Sequence, residues 1–363
     1  MGDHPTIDRV EATAFVIPTD GPEADGTLSW DKTTLIVAEV TAGGRRGIGY
    51  TYSDASVVKL ITEKLAEAIR GRDALATPAL HQAMLHAIRN LGRPGLVATG
   101  ISAVDAALWD LKGKLLGQPV AALLGAARER VPVYGSGGFT SYSVQRLKEQ
   151  LGGWASEGMR WVKMKVGSDP AADPSRAVAA REAIGDTLLF VDANGAYDRK
   201  LALAMAERFA ELGVIYFEEP VSSDDLPGLH LLRDRAPAGM RIAAGEYGYD
   251  PFYFRRMLEA EAVDVLQADA TRCLGITGFM KADALCDARS LPLSAHCAPA
   301  LHRHPALAAA RLWNIEWFHD HVRIEHMLFD GAPRVEKGTI AVDWSRPGLG
   351  IELKRADAER FKV

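Results

Sequence analysis

The stretches WVKMKVG (161–167), LLFVDAN (188–194) and VIYFEEP (214–220) decide the fold. Each is a short apolar run closing on an ionisable residue: Lys165, Asp192 and Glu218. The form recurs in RIAAGE (241–246), VDVLQAD (263–269), LPLSAH (291–296) and LWNIEW (312–317), which carry Glu246, Asp269, His296 and Glu316. Successive members of this set of seven lie 20 to 28 residues apart. That interval is the length of one strand, one helix and two loops. In a closed parallel barrel every strand ends on the same face, so all seven side chains would converge on one site. Scattered surface charges keep no such interval, and the pattern points to an enzyme.

Working outward, eight strands are expected at 131–135, 161–166, 188–193, 214–218, 242–246, 263–268, 292–296 and 314–318. Helical stretches such as PSRAVAAREAIG and RKLALAMAERFAELG lie between them. Eight alternating units fit a barrel better than an open sheet. Residues 1–125 read differently. RVEATAFVIP, TTLIVAEV and IGYTY, with the turn AGGRRG, form an antiparallel hairpin pattern. In SVVKLITEKLAEAIRG, Val57, Leu60, Ile61, Leu65 and Ile69 recur at threes and fours, the spacing of one helix face. ATPALHQAMLHAIRNLG and VATGISAVDAALWDLKGKLLG extend the helical run. The expected organisation is an α+β capping domain (1–125), a barrel (126–328) and a Gly- and Pro-rich segment (329–363) folding back over the first domain.

With 363 residues, 48% hydrophobic and 25% charged, the composition is that of a soluble globular protein. A formal charge of −5 argues against nucleic acid as a partner. No apolar run approaches the ~20 residues that span a bilayer, and the N-terminus shows no signal-peptide core. Cys273, Cys286 and Cys297 suggest no disulfide framework. A cytoplasmic location is expected.

Asp192, Glu218 and Glu246 end consecutive strands and would repel one another in a cleft unless a cation lay between them. Hard oxygen ligands suit Mg²⁺. One such acid would more simply cap the next helix; three in succession, each after a buried wall, would not. Strand alternation points Lys163 and Lys165 into the barrel and Met164 toward the helices. Two neighbouring ammonium groups disfavour each other's protonation, which is expected to lower Lys165 from ~10.4 toward a base that works near neutrality. Asp269 and His296 lie on adjacent strands, and a carboxylate beside an imidazole makes an acid or a base of it. Glu316 would hydrogen-bond a developing anion if protonated, or serve as a salt-bridge partner. His296, Cys297, His302 and His304 match no zinc-ligand spacing, and zinc is not expected. His319, Asp320 and His321 follow the last expected strand and read as contacts to substrate or, more simply, as loop decoration.

Together with ISAVDAALWDLKGKLLGQPVAALLG (101–125), Asp192-Ala-Asn194, Glu218-Glu219-Pro220 and the closing RPGLGIEL, these residues resemble the enolase superfamily, and within it the mandelate racemase subgroup. The resemblance runs over nearly the whole chain. It implies a capping domain over a modified TIM barrel, (β/α)7β, with Mg²⁺ on Asp192, Glu218 and Glu246. It implies Lys165 as base on one face of a carboxylate substrate, assisted by Lys163. The Asp269–His296 dyad would serve the other face, and Glu316 would bond the substrate carboxylate. Removal of the α-proton through an enediolate, the chemistry known for that superfamily, is then followed by loss of water from a sugar acid. A 2-hydroxy-acid racemase or epimerase would use the same residues; a cycloisomerase or a non-catalytic barrel fits less well. A homo-oligomer is also implied. Specificity is expected from the capping domain, with PTDGPEADGTLSW (18–30) as a mobile lid loop and GYTYSDAS (49–56) as a second closing loop. Asp20, Trp30, Tyr50, Tyr52, Asn194 and His319 are the candidate substrate contacts.

Overall fold

A computed structural model describes residues 4–363. The chain opens with three antiparallel strands, β1 (Ile7–Ala24), β2 (Ser29–Ala42) and β3 (Arg45–Tyr52). Strand alternation gives β2 two cores. Ile36, Ala38 and Val40 join Val10 and Ala14 in packing under the capping-domain helices, while Leu35 and Val37 join Phe15, Ile17 and Tyr50 in the core that continues into the barrel. The sheet is therefore a middle layer, and both of its faces are dry.

Helix Leu96–Leu116 is buried around most of its circumference, as its apolar sequence requires. It lies so close to β3 that only glycine fits at the crossing. A Cβ on Gly47 would stand 2.2 Å from the Ala107 carbonyl oxygen, and one on Gly49 2.2 Å from that of Ala103. The amphipathic run from Val57 to Ile69 is helical, with a π segment at Leu60–Leu65.

Eight parallel strands follow: β4 (Arg130–Gly137), β5 (Trp161–Lys165), β6 (Leu188–Asp192), β7 (Val214–Glu218), β8 (Arg241–Ala244), β9 (Val265–Ala268), β10 (Leu293–Ala295) and β11 (Leu312–Phe318). β11 pairs with β4, Glu316 opposite Tyr134, which closes the barrel. A helix follows each strand, from Val144–Ser156 after β4 to His319–Leu328 after β11. Met164 and Val191 face outward into the helix layer. Inside, Tyr134, Trp161, Phe190, Tyr216 and Trp313 fill the lower barrel, with Phe190 and Tyr216 stacked at 4.4 Å between ring centroids. This aromatic plug makes the barrel a floor rather than a pore.

The last segment adds β12 (Phe329–Asp330), β13 (Thr339–Ala341) and β14 (Glu352–Leu353). β13 pairs antiparallel with the start of β4, and β12 pairs with β14. The tail also bonds residues among the first 125. Gly348 O accepts the Val120 N–H at 2.8 Å, and Ala14 O accepts the Val363 N–H at 3.2 Å. Buried Asp110 accepts both the Leu349 N–H (2.6 Å) and the Ile48 N–H (2.7 Å), tying helix, sheet and tail through one carboxylate. Among the described residues no helix is long and apolar enough to cross a membrane.

Two expectations fail here. Residues 18–30 are not an irregular loop: β1 runs to Ala24, and only the tip at 25–28 lies outside strands. Pro18 and Gly21 lie at a register shift between Pro18 and Glu23, beyond which pairing resumes with Glu23 opposite Trp30. Likewise Gly49–Tyr52 belongs to β3, and only residues 53–56 form a connection.

The crossing predicts that Gly49→Ala overpacks the interface and costs about 1–3 kcal/mol, read from a denaturant midpoint. Gly153→Ala, on the open face of helix Val144–Ser156 with nothing within 4 Å, is expected to be neutral or stabilising by up to about 1 kcal/mol.

Candidate active site

The barrel register sets Lys165 beside Asp192 and Asp192 beside Glu218, each the last residue of its strand. β8 stops two residues short of Glu246. The backbone between them passes through Gly245 at φ +136°, where a Cβ would stand 2.1 Å from the Gln267 carbonyl oxygen. Glycine there carries Glu246 over the rim to its partners. Carboxylate oxygens of Asp192, Glu218 and Glu246 all lie within 4.8 Å of one another. None of the three caps a helix: Asp198, Asp225 and Asp250 serve the helices that follow β6, β7 and β8.

Lys163 lies deeper and is fully buried. Its ammonium donates to Glu218 Oε2 at 2.7 Å and sits 2.8 Å from Glu316 Oε1 and 3.3 Å from Asp192 Oδ2. Lys165 Nζ donates to Asp192 Oδ2 at 2.5 Å. Lys163 does lower Lys165, as expected, but the net shift is upward. Burial alone would pull Lys165 down, but Asp192 first, then Glu246 and Glu218, outweigh burial and Lys163 together and hold it above its ordinary value. The carboxylates are closer and more numerous than the neighbouring cation.

Negative charge is in excess all the same. Burial, then Asp192, pushes Glu218 up to about 8 despite Lys163. Glu218 Oε1 is buried with no hydrogen-bond partner, and so is Glu219 Oε1. Three hard oxygen donors with an orphaned oxygen among them fit a divalent cation, and these residues would hold Mg²⁺.

On the other side of the closure seam, His296 Nδ1 donates to Asp269 Oδ2 at 2.8 Å, while Nε2 lies 3.3 Å from Glu246 Oε2. Burial lowers the imidazolium's stability, but the Cys297 sulfur, Glu246, Glu316 and the Asp269 hydrogen bond reverse that and hold His296 well above its ordinary value. Glu316 accepts from Ser136 Oγ (2.6 Å) and from the Cys297 N–H (3.1 Å). Burial would raise it, but Lys163, His296 and Lys165 hold it well below the usual carboxylate range. It is therefore ionised, contrary to the protonated role considered for it, and it clamps Lys163.

These groups open on a cavity of about 470 Å³ between the barrel mouth and the capping sheet. Lys165, Glu246 and His296 line it, with Asn194, Trp30 and Tyr52 from the candidate contacts. Three others do not. Tyr50 is fully buried and donates to Glu325 Oε1 at 2.5 Å; alternation places it on the same face as Tyr52 but one step deeper. Asp20 and His319 bond each other at 2.9 Å beside the cavity.

The cavity also takes residues that went unnoticed. Arg272, three residues after Asp269 in the turn before helix Gly275–Ala288, lies 3.3 Å from Glu246 Oε1 and 3.7 Å from Asp269 Oδ2, and Tyr247 directly follows Glu246. His321, which the sequence leaves open between substrate contact and loop decoration, stacks on Tyr52 at 3.5 Å between ring centroids and lines the wall. Asp320 is buried and accepts from Thr33 Oγ1 at 2.5 Å, latching the barrel helix to β2. His302 and His304 are structural. His302 Nε2 accepts the Ala270 N–H at 2.8 Å, and His304 bridges the Ala121 N–H and Leu349 O.

A family model for the mandelate racemase/muconate lactonizing enzyme N-terminal domain matches residues 12–125, and one for the enolase C-terminal domain-like fold matches residues 146–358. The chain belongs to the mandelate racemase subgroup of the enolase superfamily. A mandelate racemase/muconate lactonizing enzyme-like protein from Rubrobacter xylanophilus is 54% identical, with TM-score 0.97 over 99% of this chain and 100% of its own. L-talarate/galactarate dehydratase from Salmonella typhimurium is 32% identical over 96% of this chain and 89% of its own. A racemase from Streptomyces coelicolor A3(2), crystallised with bound magnesium, is 30% identical, with TM-score 0.92 over 98% of this chain and 100% of its own. The superfamily's chemistry is Mg²⁺-dependent, and this chain is an enzyme of that class.

The hairpin wall carries a pH dependence of its own. Trp30 Nε1 donates to Glu23 Oε2 at 2.8 Å, and burial, then Asp320, raises the Glu23 carboxyl to about 8. The folded state thus holds a proton that the unfolded chain releases above ~4.3. Stability is expected to fall as pH rises from about 4.5 to 8. Glu23→Gln should flatten that part of the melting-temperature profile; an unchanged profile would assign the slope to other groups.

Proposed function

We propose that this protein is a Mg²⁺-dependent hydro-lyase converting a sugar acid, an aldonate or aldarate, into a 2-keto-3-deoxy acid. The observation that carries the reading is the Asp269–His296 pair opening on the same cavity as Lys165. β5 and β10 are separated by β4 and β11 around the ring, so a carboxylic acid between them meets a different group on each face.

When bound by Asp192, Glu218 and Glu246, Mg²⁺ supplies positive charge for the anion that forms on the substrate carboxylate. With the charge of these carboxylates offset, Lys165 would lose the interaction that holds it protonated, and as the free amine it removes the α-proton from one face. His296, held as an imidazolium by its carboxylate neighbours, gives its Nε2 proton to the β-hydroxyl, which leaves as water. The resulting enol becomes the keto acid. Asp269 keeps Nδ1 protonated and the ring fixed. Lys163 offsets part of the charge of Asp192, Glu218 and Glu316 from below, and the capping sheet excludes bulk water, which strengthens each of these interactions. Trp30, Tyr52, Asn194 and His321 bound the space for the distal hydroxyls. The Salmonella relative, named for two sugar-acid substrates, supports this reading. A racemase acting on a 2-hydroxy acid is the second reading, favoured by the similarity to the Streptomyces protein; there His296 returns a proton to the opposite face of the α-carbon.

Incubation with Mg²⁺ and a panel of aldonic and aldaric acids in D₂O separates the two. Keto acid formed only from β-hydroxy substrates supports the hydro-lyase. Inversion with deuterium at the α-carbon and no keto acid replaces it with the racemase. Lys165→Ala is expected to abolish α-proton exchange on one face, and undiminished exchange would remove Lys165 from its role. Glu246→Gln should weaken calorimetric Mg²⁺ binding by roughly 10–100-fold or more; unaltered affinity would place the cation elsewhere.

A further inference from the structure

A second set of ligating atoms converges at the barrel mouth beside the three carboxylates, with His296 Nε2 itself 3.3 Å from Glu246 Oε2. His296 Nε2, Cys297 Sγ and a Glu316 carboxylate oxygen lie within 4.8 Å of one another, and all three residues are buried. The sulfur is 3.2 Å from His296 Nε2 and 3.3 Å from Glu316 Oε2. Its third member comes from the next strand, so no local spacing of histidines and cysteines announces the set.

Three features make this a built site. The Nδ1–H of His296 bonds Asp269 Oδ2 at 2.8 Å, the carboxylate–histidine pairing that orients an imidazole to offer its other nitrogen to a metal. The backbone at Cys297 and Ala298 is left-handed, with φ of +52° and +41°. That turn aims the Cys297 N–H at Glu316 and leaves Cys297 on the cavity wall. Finally, Glu316 is doubly anchored: Lys163 and Ser136 hold Oε1, so Oε2 is the oxygen that faces the sulfur. One imidazole nitrogen, one sulfur and one carboxylate oxygen, with the cavity side open, match the three-ligand plan of an accessible Zn²⁺ site and are too soft for Mg²⁺.

We infer that His296, Cys297 and Glu316 form a soft-metal site that takes Zn²⁺ or Cd²⁺. Coordination displaces the thiol proton and any proton on Nε2, both of which leave to solvent. Occupation removes His296 from the cavity as a proton donor. Zn²⁺ should therefore inhibit in competition with the organic substrate while Mg²⁺ stays bound. This consequence for turnover rests on the proposed role of His296; the metal site itself does not.

The test is a titration of the Mg²⁺-saturated protein with Cd²⁺, following the ultraviolet thiolate-to-Cd²⁺ charge-transfer band and the stoichiometry by calorimetry. One Cd²⁺ per chain with the band is expected in the parent protein and in Cys286→Ala. Cys297→Ala should lose the band and weaken Cd²⁺ binding roughly tenfold or more. Cys297→Ser, which retains a hydrogen-bonding group toward Glu316, should do the same. A parent protein without the band, or a band that survives in both Cys297 variants, overturns the site. Because the band needs no substrate, a protein that shows it yet turns over no sugar acid would sink the hydro-lyase reading and leave this one standing.

Discussion

Lys163 is the constraint on which the rest of the structure depends. A fully buried ammonium touches Asp192, Glu218 and Glu316 from beneath, 5.3 Å above the Tyr134 ring. Removing one partner from a buried set of charges typically costs 3–5 kcal/mol, so the side chain cannot leave without disturbing three strands at once. Below it the barrel is aromatic and dry; above it most inward strand ends are ionisable, with Ser136 of β4 bonding Glu316. The chain thus stacks a hydrophobic floor, a charge layer and an open mouth along one axis. The same strand alternation builds all three, since Trp161, Lys163 and Lys165 share one face of β5, as Phe190 and Asp192 share one face of β6.

The charge layer is tuned by neighbours more than by burial. Each member would be pushed toward its neutral form by the loss of water, yet Lys165 and His296 are held cationic and Glu246 and Glu316 anionic by one another. Glu218, with Asp192 against it, is the member left raised. Such a network is poised for a divalent cation and an anionic substrate, because both complete charges that are already in place. The capping sheet supplies the roof, and its attachment runs through single buried carboxylates: Asp110 to the tail, Asp320 to β2, Glu325 to Tyr50.

Much of this was legible in the chain. A strand–helix unit of constant length forces ionisable strand ends onto one face, and Asp192, Glu218, Glu246, Lys165, Asp269, His296 and Glu316 all converge there. Glycine and proline in 18–30 misled, because hairpin pairing across a register shift outweighs their local preference for loops. Tyr50 misled, and the sequence leaves His321 undecided. Depth within a strand separates Tyr50 from Tyr52, and no local pattern records depth. His321 reaches the wall only because the last barrel helix docks under Tyr52.

Periodicity in the sequence determined the eight strand–helix units and the face on which the chemistry lies, since these follow from side-chain alternation and unit length; closure of the barrel and the two cores of the capping sheet came from tertiary packing. The protonation of each group, the company of Cys297 with His296 and Glu316, and the identity of the cavity wall were decided only by tertiary structure. Charges and ligands act over a few ångströms through space, and closing the barrel sets those distances between residues that lie far apart along the chain.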